Sequence, residues 1–147
     1  MTYSNYSFSK MTVHGQVNAS RGHGGGSTPG RTQDYGNLTV SVVVEDLAHF
    51  TPAGATVVQI FAAPLSASRT GQVRYKKMLV GFTKALVAPQ GTTTVEVVVQ
   101  GEELGYTVLK PMLAGRDNHP RIVEAGEYRL LACRSECDCP LNVTVTI

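Results

Sequence analysis

Two neighbouring stretches, Leu79–Val87 and Thr92–Val99, limit what this chain can fold into. Both are crowded with branched and apolar residues that alternate or run on continuously, and a helical stripe is hard to find in them. Such residues suit a pleated surface, and the Ala88-Pro89-Gln90-Gly91 stretch between the runs is a turn signal. The pair reads as one β-unit of a larger sheet structure.

The pattern recurs along the chain. Strands are expected over Tyr6–Val17, Leu38–Glu45, Thr56–Ala62, Lys77–Val87, Thr92–Gln100, Tyr106–Leu109, Arg121–Val123, Glu127–Cys133 and Leu141–Ile147, with a short helical turn at Glu102–Gly105. The Gly-rich stretch 21–36 (RGHGGGSTPGRTQDYG), Pro64–Gly71 and Gly115–Pro120 read as loops. Short strands punctuated by regular turns predict an all-β, antiparallel sandwich of the immunoglobulin or fibronectin III-like kind. The 147 residues suit a single domain over 1–147, large enough to bury a core without metal or disulfide. Phe50, Phe61 and Phe82 are the expected core anchors. The runs Val42-Val43-Val44 and Val97-Val98-Val99 lack polar alternation, so they are expected in central strands with both faces covered.

Charge narrows the function classes. The formal net charge is only +2, and the densest basic run, Arg74-Tyr75-Lys76-Lys77, is too short for a nucleic-acid face. It reads as a solvated strand edge. No apolar run approaches the roughly 20 residues of a membrane helix. Neither nucleic acid nor membrane is therefore an expected partner. The first ten residues, MTYSNYSFSK, are polar and lack a signal-peptide pattern.

Candidate chemistry is sparse. The GHGGGSTPG stretch lacks the Gly-Lys-Ser/Thr ending that lets a phosphate loop grip its ligand, so Gly22–Gly30 is read as a partner-fitted loop. His14, His23, His49 and His119 fall on separate elements, with no pair at metal-ligand spacing. Glu102-Glu103 are adjacent on one turn and point apart, and Asp117 has no evident carboxylate partner across a cleft. No catalytic residue, metal or cofactor is expected.

Four of the five asparagines stand in Asn-X-Ser/Thr: Asn5, Asn18, Asn37 and Asn142. Chance would give roughly one, so N-glycosylation and a secreted, extracellular setting are expected. The missing signal peptide fits if the chain is a mature piece of a longer precursor. Cys133, Cys137 and Cys139 form the remaining cluster, one ligand short of a zinc site. If Glu127–Cys133 and Leu141–Ile147 pair as a hairpin, Cys133 and Cys139 flank its loop (133–139) and face each other. A Cys133–Cys139 disulfide is preferred, with Cys133–Cys137 as the alternative. The odd thiol, Cys137 in the first case, hints at an intermolecular bond.

Three segments carry a family resemblance: SVVVEDLAHFTPAGATVVQIFAAP, KKMLVGFTKALVAPQGTTTVEVVVQGEELGYTV and IVEAGEYRLLACRS. Val57-Val58-Gln59 with Pro64, Leu79-Val80-Gly81-Phe82-Thr83-Lys84, Pro89 to Val99, and Ala125-Gly126-Glu127-Tyr128 follow in the order found in one domain type. In them the chain resembles the C-terminal fibronectin type III-like domain of glycoside hydrolase family 3, which includes β-glucosidases and β-xylosidases. It departs at Glu45–Phe50, where that family has an Asn-Thr-Gly turn, at the longer Gly-rich loop, and at Ala132-Cys133 in place of Val-Gly. The family's nucleophile and acid/base lie in other domains, so the resemblance implies a non-catalytic accessory domain and carries over no catalytic residue.

The expected role is packing, on other domains or chains of a glycoside hydrolase or in an extracellular assembly, with Gly22–Gly30 and Cys137 as contacts. The rival is a carbohydrate-binding module that takes glycans. Sugar platforms use exposed flat aromatics; this chain has no Trp, leaving Tyr35, Tyr75 and Tyr106.

Overall fold

A computed structural model describes residues 5–20, 34–47, 53–67, 76–107 and 121–147. The described strands are β1 (Tyr6–Val17), β2 (Gly36–Asp46), β3 (Gly54–Pro64), β4 (Met78–Val87), β5 (Thr92–Gln100), β6 (Tyr106–Thr107), β7 (Arg121–Ile122), β8 (Glu127–Cys133) and β9 (Leu141–Thr146). A 3-10 turn covers Gly101–Leu104. The strands pair antiparallel into a three-stranded sheet, β1-β2-β5, and a four-stranded sheet, β4-β3-β8-β9; β6 and β7 form a small ribbon. This is an antiparallel sandwich of the fibronectin III-like kind. Phe50 and the Gly22–Gly30 loop lie outside the described residues.

Alternation explains the core. Leu38, Val40, Val42 and Val44 of β2, with Val97 and Val99 of β5, point inward and meet Val58, Ile60, Tyr128, Leu130 and Ala132 of the other sheet. Each fully buried Val, Leu or Ile contributes about 1.5–3 kcal/mol relative to exposure, so this interior dominates the stability. The middle valine of each run points the other way. Val43 sits between Lys10 and Thr94 on the outer face, and Val98 is 56% exposed. β2 is a central strand as expected, but β5 is the edge of its sheet.

The turn between β4 and β5 is closed by Gly91 N–H donating to Ala88 O at 2.9 Å, with Gln90 at φ 54°. Asp46 braces it from β2: its Oδ2 accepts from Gln90 N–H at 3.3 Å, and its own N–H donates to Gly91 O at 3.0 Å. At the far end of the sheet, Gly15 has φ 105°, and a Cβ there would lie 2.5 Å from the Asn37 carbonyl oxygen. Gly15→Ala is therefore expected to cost about 2–3 kcal/mol, through backbone strain and a clash that no side-chain rotation relieves. A fall in the urea midpoint at unchanged slope checks this.

The first and last strands lie against each other at one corner of the sandwich. Arg134, just past β8, donates to Tyr6 O at the start of β1. At the opposite end, Ser20 N–H donates to Val123 O at 2.7 Å, while Gly126 and Ile147 exchange backbone hydrogen bonds at 2.9 Å. β1 and β9 thus run in the same direction.

Candidate functional site

Two surfaces stand out: the loop joining β8 to β9, and half of the outer face of the four-stranded sheet. In the loop, Cys133 and Cys139 are joined by a disulfide, 1.96 Å between sulfurs and six residues apart in sequence. Inside that ring Arg134 N–H donates to Asp138 O at 2.9 Å, and Asp138 N–H to Ser135 O at 3.1 Å. The Arg134 guanidinium grips the Asp138 carboxylate with both teeth, at 2.7 and 3.1 Å, and sits 6.0 Å from the Phe8 ring centroid. The pair is half-exposed, so it contributes about 1 kcal/mol or less. Lys77, just before β4, donates to Glu136 O. These ties fix the loop to β1 and to the start of β4, and the exposed Cys137 stands on its tip with a free thiol.

Lys77 also explains Phe61. This ring lies on the outside of the sheet, between Leu79 and Leu131, because its neighbours Ile60 and Ala62 point into the core. It is nonetheless buried, with the Lys77 ammonium 4.6 Å above its centroid. Phe61 is therefore a covered outer residue rather than an anchor between the sheets.

Phe82 corrects the expectation outright: it is 69% exposed. A bulge sits where β4 passes Ile60 and Phe61. Beyond it, Thr83 and Ala85 face the core strand positions Val58 and Thr56, so Phe82, Lys84 and Leu86 point outward. Leu86 is 71% exposed, and Leu79 and Val57 beside them are 49% and 41% exposed. Phe82→Ser should change folding stability by less than about 0.5 kcal/mol, since most of the ring stays in water on folding. A thermal melt checks it against Tyr128, the largest fully buried side chain among the described residues.

The remaining candidates are scattered. The side chains of Asn5, Asn18, Asn37 and Asn142 are all exposed. At Asn37 and Asn142, the two sequon asparagines inside strands, the hydroxyl two residues on shares the strand face of its asparagine. In the Asn18 sequon, Ser20 Oγ accepts from Val123 N–H at 2.9 Å and lies 3.2 Å from Tyr35 OH. Tyr35 is half-buried and packs against the core, so it offers no open platform for a sugar. Tyr75 and Asp117 lie outside the described residues, and of Tyr106 only the backbone is described. Among the described residues no cluster of three His, Cys, Asp or Glu could hold a metal, and no helix is long and apolar enough to cross a membrane. Glu102 is exposed and Glu103 half-buried on the 3-10 turn.

Sequence reasoning quoted Tyr128 as part of a family motif but missed its role. Its hydroxyl donates to the Glu124 carbonyl at 2.7 Å, four residues upstream, where the chain turns into β8. This is the tyrosine corner of immunoglobulin-like sandwiches. Its signal was present: a tyrosine two residues past a glycine, at the start of a strand.

The fibronectin type III-like domain model matches residues 56–136, and the chain belongs to that family. The resemblance to the fibronectin III-like domain of glycoside hydrolase family 3 stands with it. Among solved structures, the chain is similar over 100% of its length to a family 3 β-glucosidase of Bifidobacterium adolescentis, at 20% identity and TM-score 0.69, covering 18% of that protein. It matches a β-glucosidase of Streptomyces venezuelae, solved with D-glucose, at 25% identity and TM-score 0.66, over 100% of this chain and 15% of that one. A β-D-glucoside glucohydrolase of Trichoderma reesei matches at 22% identity and TM-score 0.64, over 99% and 19%. The chain thus spans less than a fifth of each of these proteins. No curated protein matches it by sequence.

Proposed function

We propose that this chain is a non-catalytic accessory domain that works by packing on the body of a secreted, family 3-type glycoside hydrolase. The observation that carries the reading is its end-to-end likeness to a small, self-contained part of several β-glucosidases. The secreted setting is supported by the exposure of all four sequon asparagines and by the disulfide. In that setting Cys137, free and held outward on a tied loop, forms a disulfide to a second chain.

Two measurements test this. The chain alone should release no nitrophenol from an aryl β-glucoside; turnover by the pure chain sinks the non-catalytic reading. An unreduced intact mass from the natural source should exceed 15.7 kDa, fall on glycan removal and fall again on reduction. A bare mass with Cys137 unmodified removes both the glycans and the intermolecular bond.

A further inference from the structure

The outer face of the four-stranded sheet is divided. Its β8–β9 half presents Glu127, Arg129, Asn142 and Thr144, all polar and exposed, with Leu131 half-buried beside Phe61. Its β3–β4 half presents Val57, Leu79, Phe82 and Leu86 around Lys84 and Gln59, with Lys77 over the Phe61 ring beside Leu79. The outer face of the other sheet has no equivalent: Thr12, His14, Thr39, Ser41 and Glu96 leave Val98 as its single strongly exposed apolar residue. Side chains on a paired strand cannot rotate to the opposite face. The β3–β4 area therefore stays open to water unless another surface covers it.

Three observations bear on what that surface is. The patch offers about 400 Å² of apolar area, half of the roughly 800 Å² each partner buries in a stable free complex, so a second copy would be held weakly. A neighbour tethered in the same polypeptide needs less, because linkage supplies an effective concentration near millimolar. The solved relatives carry this domain inside much longer chains, of which it covers 14–19%. The sequons, finally, leave the patch bare: Asn5, Asn18 and Asn37 lie on or beside β1 and β2, and Asn142 lies on β9, the opposite edge from β4.

We propose that the β3–β4 face docks on the body of the hydrolase-type polypeptide that carries this domain, against an apolar surface with a carboxylate placed to meet Lys84. This rests on the accessory-domain reading and adds the face. The test is hydroxyl-radical footprinting read by mass spectrometry, on this chain alone and on the native polypeptide from its source. Phe82 and Leu86 should be oxidised about tenfold more slowly in the native polypeptide, with Val98 unchanged, since a packed contact excludes water. Equal rates at Phe82 in the two samples overturn the proposal. If other side chains are protected instead, the accessory-domain reading survives with a different face. If none is protected, or the native polypeptide is this chain alone, both readings fall. Protection in the chain alone that grows with concentration assigns the face to a second copy and overturns the tethered partner. In a Phe82→Ser/Leu86→Ser variant the native polypeptide should lose protection at Val57 and Leu79, while the chain alone keeps its melting temperature.

Discussion

Tyr128→Phe is expected to lower folding stability by about 1–3 kcal/mol, and Tyr128→Ala by about 3–5 kcal/mol, in a urea titration. The two variants separate two contributions of one side chain. The phenylalanine keeps the ring, which is 1% exposed and part of the core, but removes the donor that meets the Glu124 carbonyl at 2.7 Å. That bond is buried, where water cannot replace it, so its loss costs more than a surface hydrogen bond. The alanine also leaves a cavity between the sheets, facing Val145 across β9. If Tyr128→Phe proves neutral, the corner has no energetic role and the ring alone explains the residue.

Removing the crosslink is the second large effect. A Cys133→Ala/Cys139→Ala variant should lose about 2 kcal/mol, the loop-closure value for so short a ring. The loss should not spread, because the β8–β9 ladder continues from Glu127↔Thr146 to Ala132↔Leu141 without it. Arg134, Asp138 and Lys77 would still hold the loop partly in place. Cys137→Ser, by contrast, should leave the denaturation midpoint of the monomer unchanged, since that thiol is exposed. A Cys137→Ser loss as large as that of the double variant would mean that Cys137, not Cys139, is the true partner of Cys133.

The contrast between Tyr128 and Phe82 shows what could be read from residues alone. Strand positions were legible because β-branched runs and turn residues act locally; β1, β5 and β8 fall where the pattern puts them. Facing was not legible in β4, where Leu79, Val80, Phe82, Ala85, Leu86 and Val87 supply apolar residues to both faces and a bulge shifts the parity midway. Two-sided apolar strands leave the inward set undetermined, so Phe82 reads as core and lies outside. Phe61 is buried as expected, but on the outer face of its sheet, between Leu79 and Leu131 and under Lys77. The cysteine loop was open to reasoning because a short hairpin brings the residues flanking its turn close together, although Cys139 sits one position off the register that sets Ala132 against Leu141. The partner of the apolar face was not, since nothing in one chain specifies the shape of another.

The parallel run of β1 and β9 has a mechanical consequence. Tyr6 lies at one pole of the sandwich, beside Arg134, and Ile147 at the other, beside Gly126. Force applied between those two residues acts along the strands. It loads the β1–β2 and β8–β9 ladders in shear, so that many hydrogen bonds must give together, rather than unzipping them singly. Between Tyr6 and Ile147 the sandwich therefore resists tension as a stiff tie from pole to pole.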